Sequence, residues 1–316
     1  MINIQNCLEK YSISPKKIEK EDSYILLYEK ENTYLLKEKK SSKKELFSYF
    51  QEISYPYYVP LISLEEDDYE LYPYIEDKEC HEKDIMLVEA LANLQKESLK
   101  EVDFSKEEKE KFYQKLEKQI TECWDYYENL QDYIHHFSFP RVDYYHLLNN
   151  ISLFYQILSY AKRYLEEWNS LLITTKRRAL ILHNASLKNF HQNEKSYFLN
   201  FDECKEDDLI QDMVFFFQEE IGRIEGNRCL KKYEEVLPLL PEEKKVFFCL
   251  LCIPKKIEFS SNLYENTVRV QEECNRIHKI FILLSEEDKK DQETNEEEFK
   301  EQDKDIEFRS NKEKNK

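Results

Sequence analysis

Residues 179–218 read ALILHNASLKNFHQNEKSYFLNFDECKEDDLIQDMVFFFQ, and the rest of the chain is interpreted around them. Ala179, Leu180, Ile181 and Leu182 form a short apolar run that ends in His183 and Asn184, and a polar loop follows to Asn189. Residues 196–201, SYFLNF, are a second short run rich in aromatic side chains. Asn193, Glu194 and Lys195 between the two runs have the composition of a hairpin turn. Asp207 and Asp208 are placed to cap a helix whose apolar positions include Met213, Val214, Phe216 and Phe217. The stretch thus predicts strand, polar loop, turn, strand, acidic loop and helix. Many α+β proteins contain such a segment, so the elements on either side decide between them.

Toward the N-terminus, residues 1–20 read as a short helical or irregular lead. Residues 23–28 and 33–38 are strand-like around Glu29-Lys30-Glu31-Asn32 and predict a hairpin. Residues 41–53, SSKKELFSYFQEI, offer serine caps and apolar Leu46, Phe47, Phe50 and Ile53 at helical spacing. Residues 59–64 and 69–74 predict two further strands about the acidic turn 65–68. Residues 81–98 form an amphipathic helix on Ile85, Leu87, Val88, Leu91 and Leu94. Two long helical stretches, 106–137 and 143–171, are split at Phe137-Ser138-Phe139-Pro140. Beyond residue 218 come helices over 230–237, over 241–252 with Pro241 in its first turn, and over 264–284. Residues 285–316 carry Phe299, Ile306 and Phe308 among dense charges and are expected to be a disordered charged tail.

Composition narrows the function classes. The 316 residues carry 47 Lys+Arg against 65 Asp+Glu, a formal charge of −18. Such an acidic surface argues against nucleic acid and anionic membrane as partners. No apolar run approaches the roughly 18–20 residues that span a bilayer, and the N-terminus lacks the apolar core of a secretory signal. A soluble cytoplasmic protein is the expectation. The eight cysteines are scattered and read as thiols rather than as a disulfide framework. Cys249 and Cys252 form a C-x-x-C within VFFCLLCIP, a run with the look of a buried helix rather than a metal or redox site. The chain has two glycines, Gly222 and Gly226. A glycine-rich phosphate loop needs backbone positions that glycine reaches cheaply, so none can be built in the first 221 residues.

In this order the elements resemble the aminoglycoside/choline phosphotransferase-like branch of the protein-kinase-like fold, and especially its bacterial spore-coat-kinase-type members. That family reads H-G-D-x-x-x-x-N, then I-D-F/W-D, then a buried Asp that opens a helix. Asn189 matches the metal-binding Asn. Counting back five residues puts Asn184 at the catalytic Asp, whereas matching His183 to the family His puts Ala185 there. LNFD matches I-D-F-D, so Asn200 stands at the metal-binding Asp and Asp202 at the second Asp. Asp212 matches the helix Asp that supports the catalytic loop.

The resemblance implies an α+β, bilobal protein-kinase-like fold. Residues 1–75 would be the N-lobe, an antiparallel sheet plus one helix. Residues 76–284 would be a helical C-lobe containing the segment 179–218, and residues 285–316 the tail. Lys37 falls where a strand lysine grips nucleotide phosphates, or is one of a surface run with Lys39, Lys40, Lys43 and Lys44. Glu45 is either its helix partner or an exposed helix charge. Tyr74, within LYPYIED, falls in the hinge where backbone groups meet an adenine. Helices 106–137 and 143–171 either shape an acceptor pocket or partner surface, or simply pack on the core.

In the family the Asp of the first loop accepts the acceptor hydroxyl proton, the Asn and the Asp matched by Asn200 hold the metal that bridges the phosphates, and the second Asp, matched by Asp202, is not a ligand. The expected site is therefore His183 with Asn184 or Ala185 at the catalytic position. Lys37, Glu45 and Tyr74 face the nucleotide, Asn189, Asn200 and Asp202 face the metal, and Asp212 supports the loop. The implied ligands are ATP with weakened Mg²⁺ binding, a small hydroxyl acceptor, and a protein partner. Three functions follow in order: a catalytically impaired kinase-like binding or structural module, a divergent ATP-dependent small-molecule phosphotransferase, and a helical interaction scaffold without nucleotide. In the second, Asp202, Asp207 or Asp208 would supply the metal ligand and His183 the base. Spore association is implied by the resemblance alone.

Overall fold

The computed structural model describes residues 4–21, 24–30, 32–78 and 80–287, together with residue 289. The chain divides into two compact units. The first holds residues 1–106, 173–220 and 228–240, and the second residues 107–172, 221–227 and 241–316.

The first unit opens with helix α1 (Ile4–Lys10) and a four-stranded antiparallel sheet in the order β1 (Lys17–Lys20), β2 (Ile25–Tyr28), β3 (Thr33–Glu38), β4 (Tyr69–Pro73). One face of this sheet packs Leu27, Leu36 and Leu71 against Cys7 and Ile13. Strand alternation puts Lys37 and Glu70 on the other face, and the register sets them directly opposite each other. Helix α2 (Lys44–Glu52) buries Phe47 and Phe50. Around Phe50 lie Tyr55, Tyr58 and Phe201, with ring centroids 5.2–5.3 Å away. Lys43 stands at the α2 N-cap without a side-chain cap, and the hydroxyl of Ser42 before it accepts the Lys44 N–H at 3.4 Å. β1 lay within a lead read as helical or irregular. The strand expected at 59–64 is extended chain tied to β4 through the Ile62 N–H to Leu71 O bond, 2.8 Å.

Helix α3 (Lys83–Glu97) follows, then a three-stranded sheet in the order β5 (Lys100–Asp103), β6 (Thr175–Ile181), β9 (Lys205–Asp208). β7 (Phe190–Gln192) and β8 (Ser196–Phe198) form their own hairpin, closed by the Asn193 N–H to Lys195 O bond at 3.0 Å. The turn stands where expected, but residues 179–181 pair with β9 rather than across that turn. Asp207 and Asp208 are strand residues, not helix caps. Their strand lacks apolar alternation and pairs through charge: Lys176 Nζ lies 2.7 Å from Asp208 Oδ1, and Lys100 Nζ lies 2.6 Å from Glu206 Oε2. Helix α6 (Gln211–Glu220) starts beyond them, and α7 (Gly226–Val236) contributes Tyr233, whose hydroxyl donates to Gln95 Oε1 at 2.6 Å.

The second unit is helical. Long helices α4 (Lys106–His135) and α5 (Val142–Ser170) are followed by α8 (Pro241–Leu251) and α9 (Leu263–Lys314). α5 packs against both α8 and α9, and the Tyr127 and Phe154 rings meet at 4.6 Å between α4 and α5. Buried Arg276 donates to Glu273 and to the carbonyls of Leu251 and Ile253, closing the end of α8. Cys249 and Cys252 are buried in and just after α8, where burial pushes the Cys249 thiol up to about 12. None of the eight cysteines is in a disulfide. No helix among the described residues is long and apolar enough to cross a membrane. The tail expected over residues 285–316 falls outside the described residues from 288 onward, apart from 289. The architecture is α+β, a small antiparallel-sheet lobe with a mostly helical remainder, as in the protein-kinase-like bilobal fold.

Candidate active site

Every candidate site residue lies in the first unit. The site is assembled by β3, β4, the start of α2 and the loops that follow β6 and β8. The loop after β6 is fixed first. Asp212, fully buried in the first turn of α6, accepts the Leu182 N–H at 2.7 Å and the His183 N–H at 2.8 Å, one on each carboxylate oxygen. His183 has φ 59°, a left-handed conformation that a non-glycine residue holds only when its surroundings impose it. The two bonds to Asp212 are that constraint. Burial raises the Asp212 carboxyl to about 7, against the lowering effect of the two N–H donors.

Beyond His183 the loop turns Asn184 and Asn189 toward each other. Asn189 Nδ2 donates to Asn184 Oδ1 at 2.7 Å, and Asn184 Nδ2 donates to the Asn200 carbonyl at 3.3 Å. Ala185 is fully buried. The structure therefore places Asn184, and not Ala185, beside Asn189 and Asn200. His183 Nε2 lies 3.5 Å from Asp207 Oδ2, a residue on β9.

Lys37 enters from β3. Its Nζ lies 2.9 Å from Asp202 Oδ1, 3.3 Å from Glu70 Oε2 and 3.4 Å from Asn200 Oδ1. It is buried, so the surface-lysine alternative does not hold. Burial lowers its pKa, as does the neighbouring Lys43 charge, against the pull of Asp202 and Glu70. The pairing expected with Glu45 is not made: Glu45 is exposed and lines a shallow groove with Ser48, Tyr49 and Glu52 on the outside of α2. The helix instead sends in Lys43, whose Nζ donates to Glu70 at 2.6 and 2.7 Å and to Asp202 Oδ1. Tyr72 donates to Glu70 Oε2 at 2.8 Å. Burial works against the Asp202 carboxylate, but the Lys43 and Lys37 ammoniums overcome it and hold its pKa below the usual range.

The sequence reading missed Lys43 and Glu70. Lys43 was hidden in a run of lysines. Glu70 had a visible signal, since it is the one charge within the strand YELYP and sits opposite Lys37 once the β3–β4 register is known. Tyr74 directly follows β4. There its N–H donates to Thr33 O at 2.7 Å, and its ring meets His191 edge-on at 6.1 Å. His191 Nδ1 lies 2.7 Å from the Ile75 carbonyl, and Lys78 N–H donates to Gln192 O at 2.7 Å. Part of the backbone just after β4 is therefore occupied by the β7–β8 hairpin. The β1–β2 connection, where a phosphate loop would lie, is closed by the Glu21 N–H to Tyr24 O bond at 2.9 Å and carries no glycine.

No family model matches the chain, and no curated protein matches it. Solved structures do. An aminoglycoside phosphotransferase from Alicyclobacillus acidocaldarius superposes with a TM-score of 0.67 at 11% identity, covering 90% of this chain and 95% of that one. The AMP-bound complex of a spectinomycin phosphotransferase gives 0.53 at 11% identity over 88% and 98%. The complex of that enzyme with ADP and spectinomycin gives 0.50 at 12% identity over 88% and 97%. The chain has the protein-kinase-like fold of the aminoglycoside phosphotransferases.

Proposed function

We propose that the chain is a catalytically impaired kinase-like protein that keeps its nucleotide site as a binding or structural module. One observation carries this reading: Asn184, Asn189 and Asn200 converge where the resembled family presents two carboxylates and one amide. A neutral amide cannot take the proton of an acceptor hydroxyl. It also binds Mg²⁺ more weakly than a carboxylate does. The retained features, Lys37 reaching the loop after β8 and Asp212 holding the loop after β6, maintain the shape of a nucleotide site without its chemistry. The AMP and ADP bound in the fold's solved examples support a nucleotide as the ligand. A small hydroxyl-bearing compound or a protein partner would complete the module. A cytoplasmic location, and the spore association, rest on the sequence reading.

The test is thermal denaturation of the full chain with ATP, GTP, ADP and AMP, alongside Lys37→Met. A rise in melting temperature for wild type that is lost in Lys37→Met supports the nucleotide module. The absence of any shift would favour the helical scaffold, with α4 and α5 as its binding surface.

A second reading, a divergent small-molecule phosphotransferase, is favoured by the His183–Asp207 pair. The His183 imidazole lies 3.5 Å from Asp207 with no hydrogen bond at its Nε2, and as the residue next to Asn184 it would supply the general base. Phosphate transfer to a hydroxyl acceptor that disappears in His183→Gln would establish this reading.

A further inference from the structure

The charges at the site differ from those a metal-bridged phosphate site requires. Lys37 and Lys43 face Glu70 and Asp202, two cations against two anions. A third cation, Lys40, reaches within 3.8 Å of Asp202 Oδ2 from a side chain that is 70% exposed. Asp202 Oδ1 is shared by both inner ammonium groups. Asn200 Oδ1 accepts from Lys37 Nζ at 3.4 Å and from the Asp202 N–H at 3.0 Å. Mg²⁺ asks for nearly octahedral oxygen ligands that include one or two carboxylates. Here the nearest carboxylate is already neutralised, the other oxygens belong to amides, and an incoming divalent ion would stand beside two ammonium groups. These residues do not fit the metal that the fold implies.

We propose that this site takes the phosphates of a nucleotide without a divalent ion, with Lys43 in the place of the metal charge. This rests on the reading of the chain as a nucleotide-binding module. A site carrying one catalytic and one metal-binding carboxylate repels a bare polyphosphate, so the metal is needed to bring the two together. This site presents a neutral inner cluster and a flexible outer lysine, so a bare polyphosphate meets no uncompensated negative charge. Lys43 is held in place by its position at the α2 N-cap and by Glu70, with 4% of its side chain exposed. Its ammonium is therefore fixed before the ligand arrives. Phosphate oxygens would accept charge-assisted bonds from Lys40 and, in exchange for Asp202, from Lys37, while Lys43 stays bonded to Glu70 and Asp202 and contributes its charge from behind them.

Isothermal titration calorimetry of the full chain with ATP, ADP and tripolyphosphate tests this, each run in excess MgCl₂ and in excess EDTA. The expected result is a Kd for ATP that agrees between the two conditions within about threefold, a difference under about 0.7 kcal/mol. Asn200→Asp restores a metal-ligand carboxylate, so its ATP affinity in EDTA should fall by about tenfold or more and recover with MgCl₂. This variant makes a single oxygen-for-nitrogen change and leaves the packing of the site intact. Wild-type binding seen only with MgCl₂ would overturn the metal-free site and leave the nucleotide module standing. No binding of any of the three probes under either condition would overturn both.

Discussion

Replacing Asp212 is the sharpest test of how the loop is held. Asp212→Ala leaves the N–H groups of Leu182 and His183 buried without acceptors. Each stranded donor costs about 1–3 kcal/mol. His183 can relax from its left-handed conformation once released, so the net loss should fall near the low end for the pair, about 3 kcal/mol. For a chain of this size about 2–4 °C of melting temperature accompanies each kcal/mol, which gives a drop of about 6–12 °C. The pH dependence is a second readout. The unfolded carboxyl ionises near 3.9, and the folded one at about 7. Between these values the folded chain binds one more proton than the unfolded chain. The stability from this group is therefore full below about pH 4, is lost at up to about 1.4 kcal/mol per pH unit as pH rises toward 7, and is level above that. Asp212→Asn keeps the shape and one acceptor but cannot titrate, so its stability profile between pH 5 and pH 7 should lack this slope. The assay is urea denaturation of wild type and both variants across that window. An Asp212→Ala midpoint equal to wild type, or an Asp212→Asn profile parallel to wild type, would refute the role of Asp212 as the loop's anchor.

Three other substitutions probe separate parts of the structure. Glu70→Gln leaves Lys37 and Lys43 sharing one carboxylate in a buried site and should cost about 3–5 kcal/mol in urea denaturation. Arg276→Met strips the buried Glu273 and the carbonyls of Leu251 and Ile253 of their donor and should cost a similar amount, with part of the loss recovered by the double change with Glu273→Leu. Asp208→Lys places like charges against Lys176 across β6 and β9 and should lower stability by under about 1 kcal/mol, which the swapped pair with Lys176→Asp restores.

The legible parts of the fold were those with strong local signals. β3 matches its predicted bounds because Thr33, Tyr34, Leu35 and Leu36 are a strand-forming run with a turn before it. α3, α4, α5 and α8 follow their apolar periodicity. β5 and β9 were missed because KEVD and KEDD have no apolar alternation, and their pairing with the TKRR and RALI halves of β6, respectively, is a tertiary effect. The same cause misplaced Asp207 and Asp208 as caps. At the site, Asn184, Asn189, Asn200, Asp202 and Asp212 were legible because their spacing along the chain matches a motif, and Lys37 only by its place on β3, where a surface lysine was an equal reading. Lys43 and Glu70 were not, since they meet only through the β3–β4 register and the entry angle of α2. Glu45 was the residue that the family resemblance offered as a partner for Lys37, but the helix faces it outward and its N-cap lysine fills the place.

The central claim is that the loss of both carboxylates from the loops after β6 and β8 ends phosphoryl transfer. It is tested most directly by following phosphate from radiolabelled MgATP and MgGTP, with purified full-length protein, into a panel of sugars, amino alcohols and peptides, with Lys37→Ala in parallel. The account predicts no transfer above the level of the Lys37→Ala control for any acceptor. Transfer by wild type that is abolished in Lys37→Ala would contradict it and establish the chain as a working phosphotransferase.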